Sequence, residues 1–534
     1  MTAPHALPPR TLIDDLLAEQ QRLTAVERFS RCHDRGAMPA QARYYRDLIP
    51  QSAPAPGQQY AFAVDLDACT GCKACVSACH SLNGLDEEET WRSVGLIHGE
   101  SNNAPYQQTV TTACHHCVEP GCLEGCPVMA YEKEESTGVV KHLDDQCIGC
   151  QYCILKCPYD VPKYSERLGI VRKCDMCIDR LAVGEAPACV QACPTSAIRI
   201  ELVDKAEVSR AAAPGTEIVP GAFESSYTKP TTVYRSDRSI PKDAKPADSR
   251  DLRLEHAHWP LVFMLLLTQM AAGVFGAVGV NALLQGNIAI DRLLATTGFV
   301  ILQIGLGVSV LHLGRPLGAW RFFLGLRTSW MSREILAFGV LAGTAALCTA
   351  ATWLPLLNEF LPFIASLTAA VGFAAVFTSV MIYVDTRRPF WAMRRTATKF
   401  FGSTLLLGAT ASAAALAIAN ESAAVAAATV AIVAQTAIYI RETSDHRRLL
   451  NAADDPAHRS ALTQARLLPW VPRLQAALFA VSTIGGLLAM THVSQLAPAF
   501  ASLALLSTFT SQVIERFTFF TVVIAPRMPG GVAS

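Results

Sequence analysis

Sixteen of the 18 cysteines fall into four quartets between residues 69 and 193. Cys69, Cys72, Cys75 and Cys79 are spaced C-x2-C-x2-C-x3-C, and Cys147, Cys150, Cys153 and Cys157 repeat that spacing. Cys114, Cys117, Cys122 and Cys126 have a four-residue middle gap, and Cys174, Cys177, Cys189 and Cys193 an eleven-residue one. Pro127, Pro158 and Pro194 follow the last cysteine of three quartets, and His80 stands there in the first. A tight C-x2-C-x2-C loop delivers three thiolates from one turn of backbone, as a [4Fe-4S] cube requires, and the fourth arrives from elsewhere. The proline stops the loop from re-forming a helical hydrogen bond there. Zinc would take two C-x2-C pairs per ion and leave the third cysteine superfluous. Disulfides would need an oxidising compartment, and before residue 60 neither an apolar export segment nor a twin-arginine pair is visible. The spacing therefore predicts four [4Fe-4S] clusters. This half shows no open metal position, nucleophile–base pair or phosphate loop, so electron transfer is expected rather than catalysis. His115 and His116 lie between two ligands, and Arg172 and Lys173 precede Cys174; such residues can tune a cluster. Packing, or a solvated docking face, is the plainer reading of each. Cys32 stands alone and reads as a small buried side chain.

A second set of chemical residues sits where a long apolar run ends, in "HLGRPLGAW" (His312–Trp320). A quinone needs an apolar slot, hydrogen-bond donors for its carbonyls, and a group that gives or takes protons. His312 is the titratable residue at the mouth of one apolar run, and Glu334 stands at the mouth of the next, on the same side. The segment between them is basic and aromatic, fit for a membrane interface. The plainer alternative is that His312 caps a helix and Glu334 pairs with an arginine.

Two unlike halves must position these residues. The chain has 534 residues, no formal net charge and 51% hydrophobic residues, more than one soluble core explains. Residues 1–250 hold 17 of the 18 cysteines, whereas residues 259–515 are mostly long apolar runs. The expected fold is an α+β multi-cluster ferredoxin-like domain followed by an all-α polytopic membrane bundle of eight helices. Its parts are an N-terminal extension (1–59), the cluster domain (60–201), an extended linker rich in Pro, Ser, Lys and Asp (202–258), and the membrane anchor (259–534). Within the extension, "RTLIDDLLAEQQRL" places Ile13, Leu16 and Leu17 on one helical face, for docking on a partner or on its own domain. Eight runs can span a bilayer: 261–279, 294–311, 335–353, 363–383, 402–419, 423–440, 474–490 and 495–513.

The loops on the side of the cluster domain, with the tail, carry seventeen basic residues, from Arg315 and Arg321 to Arg516 and Arg527, and the opposite loops only Arg292. Positive loops stay inside, so the cluster domain and both termini are expected in the cytoplasm, on the inner (cytoplasmic) membrane. A b-type haem would need facing histidines within helices. Only His312 and His492 lie near helix ends, on opposite sides, so no haem is expected. The span interiors hold almost no ionisable residue, which speaks against a proton pump. Nothing marks a nucleic-acid partner.

The quartets, their order, "ACHHCVEPGCLEGCP", "DDQCIGCQYCILKCPYDVP", "RKCDMCIDR" and the tail "YTKPTTVYR" resemble the four-cluster iron–sulfur subunit of the dimethyl sulfoxide reductase family, over roughly residues 60–235. The membrane half resembles that family's eight-helix, haem-free anchor. The resemblance implies cross-pairing of the quartets: Cys69, Cys72, Cys75 and Cys193 on one cluster; Cys174, Cys177, Cys189 and Cys79 on the next. Cys114, Cys117, Cys122 and Cys157 would hold a third, and Cys147, Cys150, Cys153 and Cys126 a fourth. It also implies a separate molybdopterin catalytic subunit and a quinone, menaquinone or ubiquinone, at the anchor. His312, Gly314 and Glu334 match the family's quinone-site pattern, and Trp320 stands where an aromatic is usual. Gly318 occupies the place of a common arginine, for which Arg315 or Arg321 could substitute. An exported catalytic subunit does not suit a cytoplasmic, signal-free chain. The cytoplasm-facing branch, such as membrane-bound sulfite dehydrogenases feeding quinone, is therefore favoured; the reductase direction and an energy-converting complex are the alternatives.

Overall fold

The computed structural model describes residues 11–20, 24, 27, 31, 40–101, 104–491 and 495–530; Cys32 and His492 lie outside them. The N-terminal helix α1 (Leu12–Gln20) starts where Thr11 and Asp14 exchange hydrogen bonds, the Thr11 N–H donating to Asp14 at 2.9 Å. Leu12, Ile13, Leu16 and Leu17 are all exposed, so this face packs on none of the described residues.

The cluster domain is built on β1 (Gln58–Asp65), whose alternating Tyr60, Phe62 and Val64 face one side of the strand. It pairs antiparallel with β8 (Ile198–Asp204) and parallel with β9 (Val233–Arg235). Between them come the long hairpin β2 (Ser93–Ser101) and β3 (Ala104–Thr112) and two short hairpins. These are β4 (Tyr131–Lys133) with β5 (Val140–His142), and β6 (Lys163–Ser165) with β7 (Ile170–Arg172). Short helices hold or follow cysteines of each motif: α2 (Ala74–Asn83) holds Cys75 and Cys79, α3 (Gly121–Glu124) Cys122, α4 (Tyr152–Lys156) Cys153 and α6 (Ala188–Gln191) Cys189, while α5 (Ile178–Ala182) starts directly after Cys177. The two C-x2-C-x2-C loops share one backbone device. Gly71 (φ 72°) and Lys73 (φ 61°) flank Cys72, as Gly149 (φ 69°) and Gln151 (φ 60°) flank Cys150. Left-handed residues on both sides curl the loop before the helix begins, and glycine adopts that conformation without steric cost.

Parts of the expected linker are built into the cluster domain. Strand β8 runs on to Asp204, which caps α7 (Lys205–Ala211) by accepting from Ala206 N at 2.8 Å and Glu207 N at 2.9 Å. Strand β9 joins the main sheet, and β10 (Lys245–Pro246) extends the long hairpin. Composition missed this because the pairing partners lie more than a hundred residues upstream. The C-terminal tail returns as well: Gly530 O accepts from Leu96 N at 3.0 Å, and Arg527 pairs with Asp248 at 2.6 Å.

Among the described residues, eight helices are long and apolar enough to cross a membrane: α8 (Trp259–Leu283), α9 (Ile288–Ser309), α10 (Trp330–Trp353), α11 (Leu361–Val384), α12 (Met393–Ile418), α13 (Ala423–Asn451), α15 (Val471–Met490) and α16 (Ala497–Thr521), with the surface helix α14 (His458–Leu467) between α13 and α15. Each contains or overlaps one expected run. Helix α8 packs on α9, α11 and α12. It meets α12 backbone to backbone where a side chain on Gly408 would lie 2.4 Å from Gly273 Cα, the close approach small residues allow in lipid. Three helices run well past the expected spans: α12 begins nine residues earlier than 402, α13 ends eleven later than 440, and α16 eight later than 513. Lys399 and Glu442, expected in loops, and Arg516, expected in the tail, therefore lie inside helices. A hydropathy window marks the hydrocarbon thickness, not the helix, and these charged turns continue because they pair with one another.

Candidate functional site

None of the sixteen quartet cysteines forms a disulfide. Their electrostatic neighbours sort them across the sequence motifs. Cys75 neighbours Cys189 and Cys193, Cys79 neighbours Cys177 and Cys189, and Cys174 neighbours Cys79 and Cys177. Cys122 neighbours Cys114, Cys117 and Cys157, while Cys126 and Cys153 share a group with Cys147 and Cys150. One cavity is walled by Cys79, Cys174, Cys177 and Cys189, and another by Cys114, Cys117, Cys122 and Cys157. Burial pushes the Cys79 thiol up to about 12 and Cys126 up to about 11, so these sulfurs are poor thiolates unless iron supplies the compensating charge. Backbone amides already point at sulfur: Ala130 N lies 3.2 Å from Cys126 Sγ and Ala197 N 3.3 Å from Cys193 Sγ. Among the described residues no three His, Cys, Asp or Glu side chains converge on a single metal ion. Four spread thiols around a cavity fit a cube better than a lone zinc.

The groups follow one another in a line. Cys189 neighbours both Cys75 and Cys79, Cys174 neighbours Cys114, and Tyr131 lies between Cys122 and the pair Cys126 and Cys153. Cys72 is exposed at one end, and Cys150 packs against the membrane core at the other.

Two buried cations flank the line. Arg92 sits among Cys75, Cys79, Cys174 and Cys189, its guanidinium 4.6 Å from the Phe62 ring centroid. Lys173 is buried beside Cys114, Cys122 and Cys174 and donates to Cys174 O at 2.8 Å. Sequence reasoning singled out Lys173 by adjacency but missed Arg92, 13 residues from the nearest quartet cysteine; only the hairpin fold brings it in. His115 and His116 have structural partners: His115 Nδ1 lies 2.8 Å from Thr232 Oγ1, and His116 Nδ1 accepts from Val140 N at 3.0 Å. Burial pulls His115 down to about 3, so it is neutral.

At the membrane end, the loop carrying Cys147 and Cys150 rests on the segment that follows α9. Gly149 and Gly169 meet Gly314 backbone to backbone, and a Cβ on Gly314 would lie 2.1 Å from Gly169 O. Arg315 N donates to Ile148 O at 3.0 Å and its guanidinium to Asp144 O at 2.8 Å, while Arg321 reaches Asp145 O at 2.9 Å. Arg315 is thus held in the contact between the halves. At Gly318 a Cβ would lie 3.0 Å from Ile148 Cγ2. Trp320 is 67% exposed, placed for the interfacial zone. Both ring nitrogens of His312 are buried; the Ser309 backbone and His258 are its polar neighbours. Glu334 is 6% exposed and accepts from Ser379 Oγ. It forms no ion pair among the described residues. His312 and Glu334 make no hydrogen bond with each other, yet both are tied to the same cluster loop: Gly314, two residues past His312, meets Gly149, and Glu334 lies within electrostatic reach of Tyr152, between Cys150 and Cys153.

A second contact secures the arrangement. Tyr152 donates to Ile382 O at 3.1 Å, and Lys156 pairs with Asp385 at 2.7 Å. Burial works against the Lys156 charge, but Tyr227 and Asp385 outweigh it and hold the ammonium above its ordinary range. Asp385→Asn should weaken this contact by about 2 kcal/mol, read as earlier loss of cluster absorption on heating. A raised lysine stabilises fully below its unfolded value and loses that contribution as pH climbs through the folded one. The margin should therefore hold from about pH 6 to 9 and shrink only in stronger alkali.

Comparison with known proteins agrees with both halves. Residues 106–202 match the 4Fe-4S dicluster domain family, and residues 254–522 the DMSO reductase anchor subunit (DmsC) family. The B subunit of the anaerobic dimethyl sulfoxide reductase of Escherichia coli (strain K12) is 36% identical over 185 residues, 33% of this chain and 88% of that protein. The hydrogenase-2 operon protein HybA of Escherichia coli O157:H7 is 34% identical over 212 residues, 34% of this chain and 63% of that one. The formate dehydrogenase-O iron–sulfur subunit of Escherichia coli (strain K12) is 34% identical over 179 residues, 29% of this chain and 60% of its own length. An iron–sulfur electron-transfer domain and a multi-pass anchor thus share one polypeptide, and this protein belongs to the dimethyl sulfoxide reductase family of electron-transfer and membrane-anchor subunits.

Proposed function

We propose that the chain passes electrons between a molybdopterin catalytic subunit and the quinone pool through four [4Fe-4S] clusters, held by the cross-paired cysteines set out above. The observation that carries this reading is the seat of the Cys147–Cys150 loop on Gly314, two residues past His312, with Glu334 within electrostatic reach of Tyr152 on the same loop. Bound clusters would supply one-electron exchange in steps. The chain's own residues do the rest. Amides and the buried Arg92 and Lys173 offset cluster charge, the glycine contact fixes the gap to the membrane, and His312 and Glu334 hold quinone and exchange its protons. Exposed Cys72 marks the end that faces the catalytic subunit, to which the apolar face of α1 is also open.

The arginine-rich loops support a cytoplasmic position for the cluster domain and both termini. A cytoplasmic reporter fused at the C-terminus should be active and a periplasm-only one silent; the reverse overturns this orientation. It favours oxidation of sulfite or a similar cytoplasmic substrate, with electrons running from molybdenum to quinone. His312→Ala tests the quinone site: reduction of the clusters by added quinol should fall at least tenfold, and an unchanged rate would refute the assignment. Molybdenum or tungsten should co-purify with the whole complex, and their absence would refute the partner.

A further inference from the structure

The membrane half holds a polar region that the electron path does not use. A cavity of about 930 Å³ opens between α12, α13 and α16, with Lys399, Glu442 and Glu515 in its wall. Lys399 Nζ donates to Glu515 at 2.6 Å and to Glu442 at 3.3 Å. Behind them Arg516 is fully buried. One of its nitrogens reaches Gln269 at 3.2 Å and Ser403 at 3.1 Å. Its Nε and Nη1, with Glu515 Oε2 and Gln269 Nε2, have no hydrogen-bond partner. Buried polar atoms left over in this way are ordinarily served by water.

The network points towards the quinone residues. The Arg516 guanidinium lies 4.1 Å from the Phe400 ring centroid, and Tyr383 packs on that ring at 5.6 Å. Tyr383 lies within electrostatic reach of both Arg516 and Glu334, one helical turn beyond Ser379, the donor to Glu334. The direct way from Glu334 to bulk water is covered by the cluster domain, where Ser329 Oγ donates to Gly125 O at 2.7 Å and Ser332 Oγ to Pro127 O at 3.3 Å.

We propose that the cavity, Lys399, Glu515 and Arg516, continued by Tyr383, form the proton passage between bulk water and Glu334. The proposal rests on reading Glu334 as the quinone's proton partner. Oxidation of one quinol breaks two O–H bonds. Its two electrons would leave, one at a time, for a cluster held by Cys126, Cys147, Cys150 and Cys153, and go on towards the catalytic partner. Its two protons go in turn to the Glu334 carboxylate, leave through the Tyr383 hydroxyl and water on Arg516, and reach Glu515 and the cavity. Quinone reduction runs the same steps backwards.

The test uses the full chain in lipid nanodiscs, mixed with a short-chain quinol, while the clusters' visible absorption is followed. Tyr383→Phe and Glu515→Gln should each slow the reaction at least tenfold, with unchanged affinity for a quinone-site inhibitor. Azide, a small weak acid, should restore the Glu515→Gln rate. Wild-type speed in either variant, or a loss in Glu515→Gln that azide does not relieve, would overturn the passage. Should Glu515→Gln not assemble, Tyr383→Phe keeps the ring packing and decides through its rate and a larger solvent isotope effect than wild type. Glu334→Gln separates the two claims. If it is slow while both passage variants are fast, only the passage fails; if it is fast, the quinone-site reading fails first.

Discussion

Glu334→Gln protein will exchange electrons with quinol roughly a hundred to ten thousand times more slowly than wild type, the range that a positioned acid–base group contributes. The amide can still accept the Ser379 hydrogen bond, so the pocket keeps its shape and loses only its proton acceptor. Glu334 has no ion-pair partner among the described residues, and a lone buried carboxylate costs folding energy. The glutamine protein should therefore be as heat-stable as wild type or more so. Cluster content and reduction by dithionite should be unchanged. Stopped-flow absorption with quinol and a thermal melt read both halves of this expectation; a normal rate, or a collapse in stability, would count against it.

Gly314→Val is expected to uncouple the halves without touching a ligand. A Cβ there would lie 2.1 Å from Gly169 O and 2.6 Å from Gly169 C. Backbone atoms cannot rotate aside as a side chain could, so the cluster loop must lift. Overpacking of this kind costs about 1–3 kcal/mol, a shift of roughly fivefold to 150-fold in the docked population. Electron passage falls exponentially with distance, so quinol-linked reduction should drop by at least that factor. All four clusters should remain reducible by dithionite. If quinol reduces the valine protein at the wild-type rate, the glycine contact does not set the gap.

The sequence reading reached the parts whose chemistry is local. Quartet spacing is local, because one loop must curl around one cube corner. The eight apolar runs are local too, and all eight appear as helices. What it missed depends on partners distant in sequence. Arg92 reaches Cys75 and Cys189 only because β2 turns back beside β3. Residues 202–258 read as a connector because Val233 and Lys245 pair with strands far upstream. The charged turns at Lys399, Glu442 and Glu515 read as loop or tail, because a carboxylate looks the same whether it meets water or a lysine 2.6 Å away. Arg315 shows the same limit: its type and place suit a quinone site, and its hydrogen bonds go to the cluster domain.

The central claim is that electrons pass between quinone and the protein through the cluster of Cys126, Cys147, Cys150 and Cys153. Cys153→Ser in the full chain, held in nanodiscs and followed by EPR, tests it most directly. The account predicts that dithionite still reduces the other three clusters while quinol no longer does. Reduction of those three by quinol at the wild-type rate would contradict it.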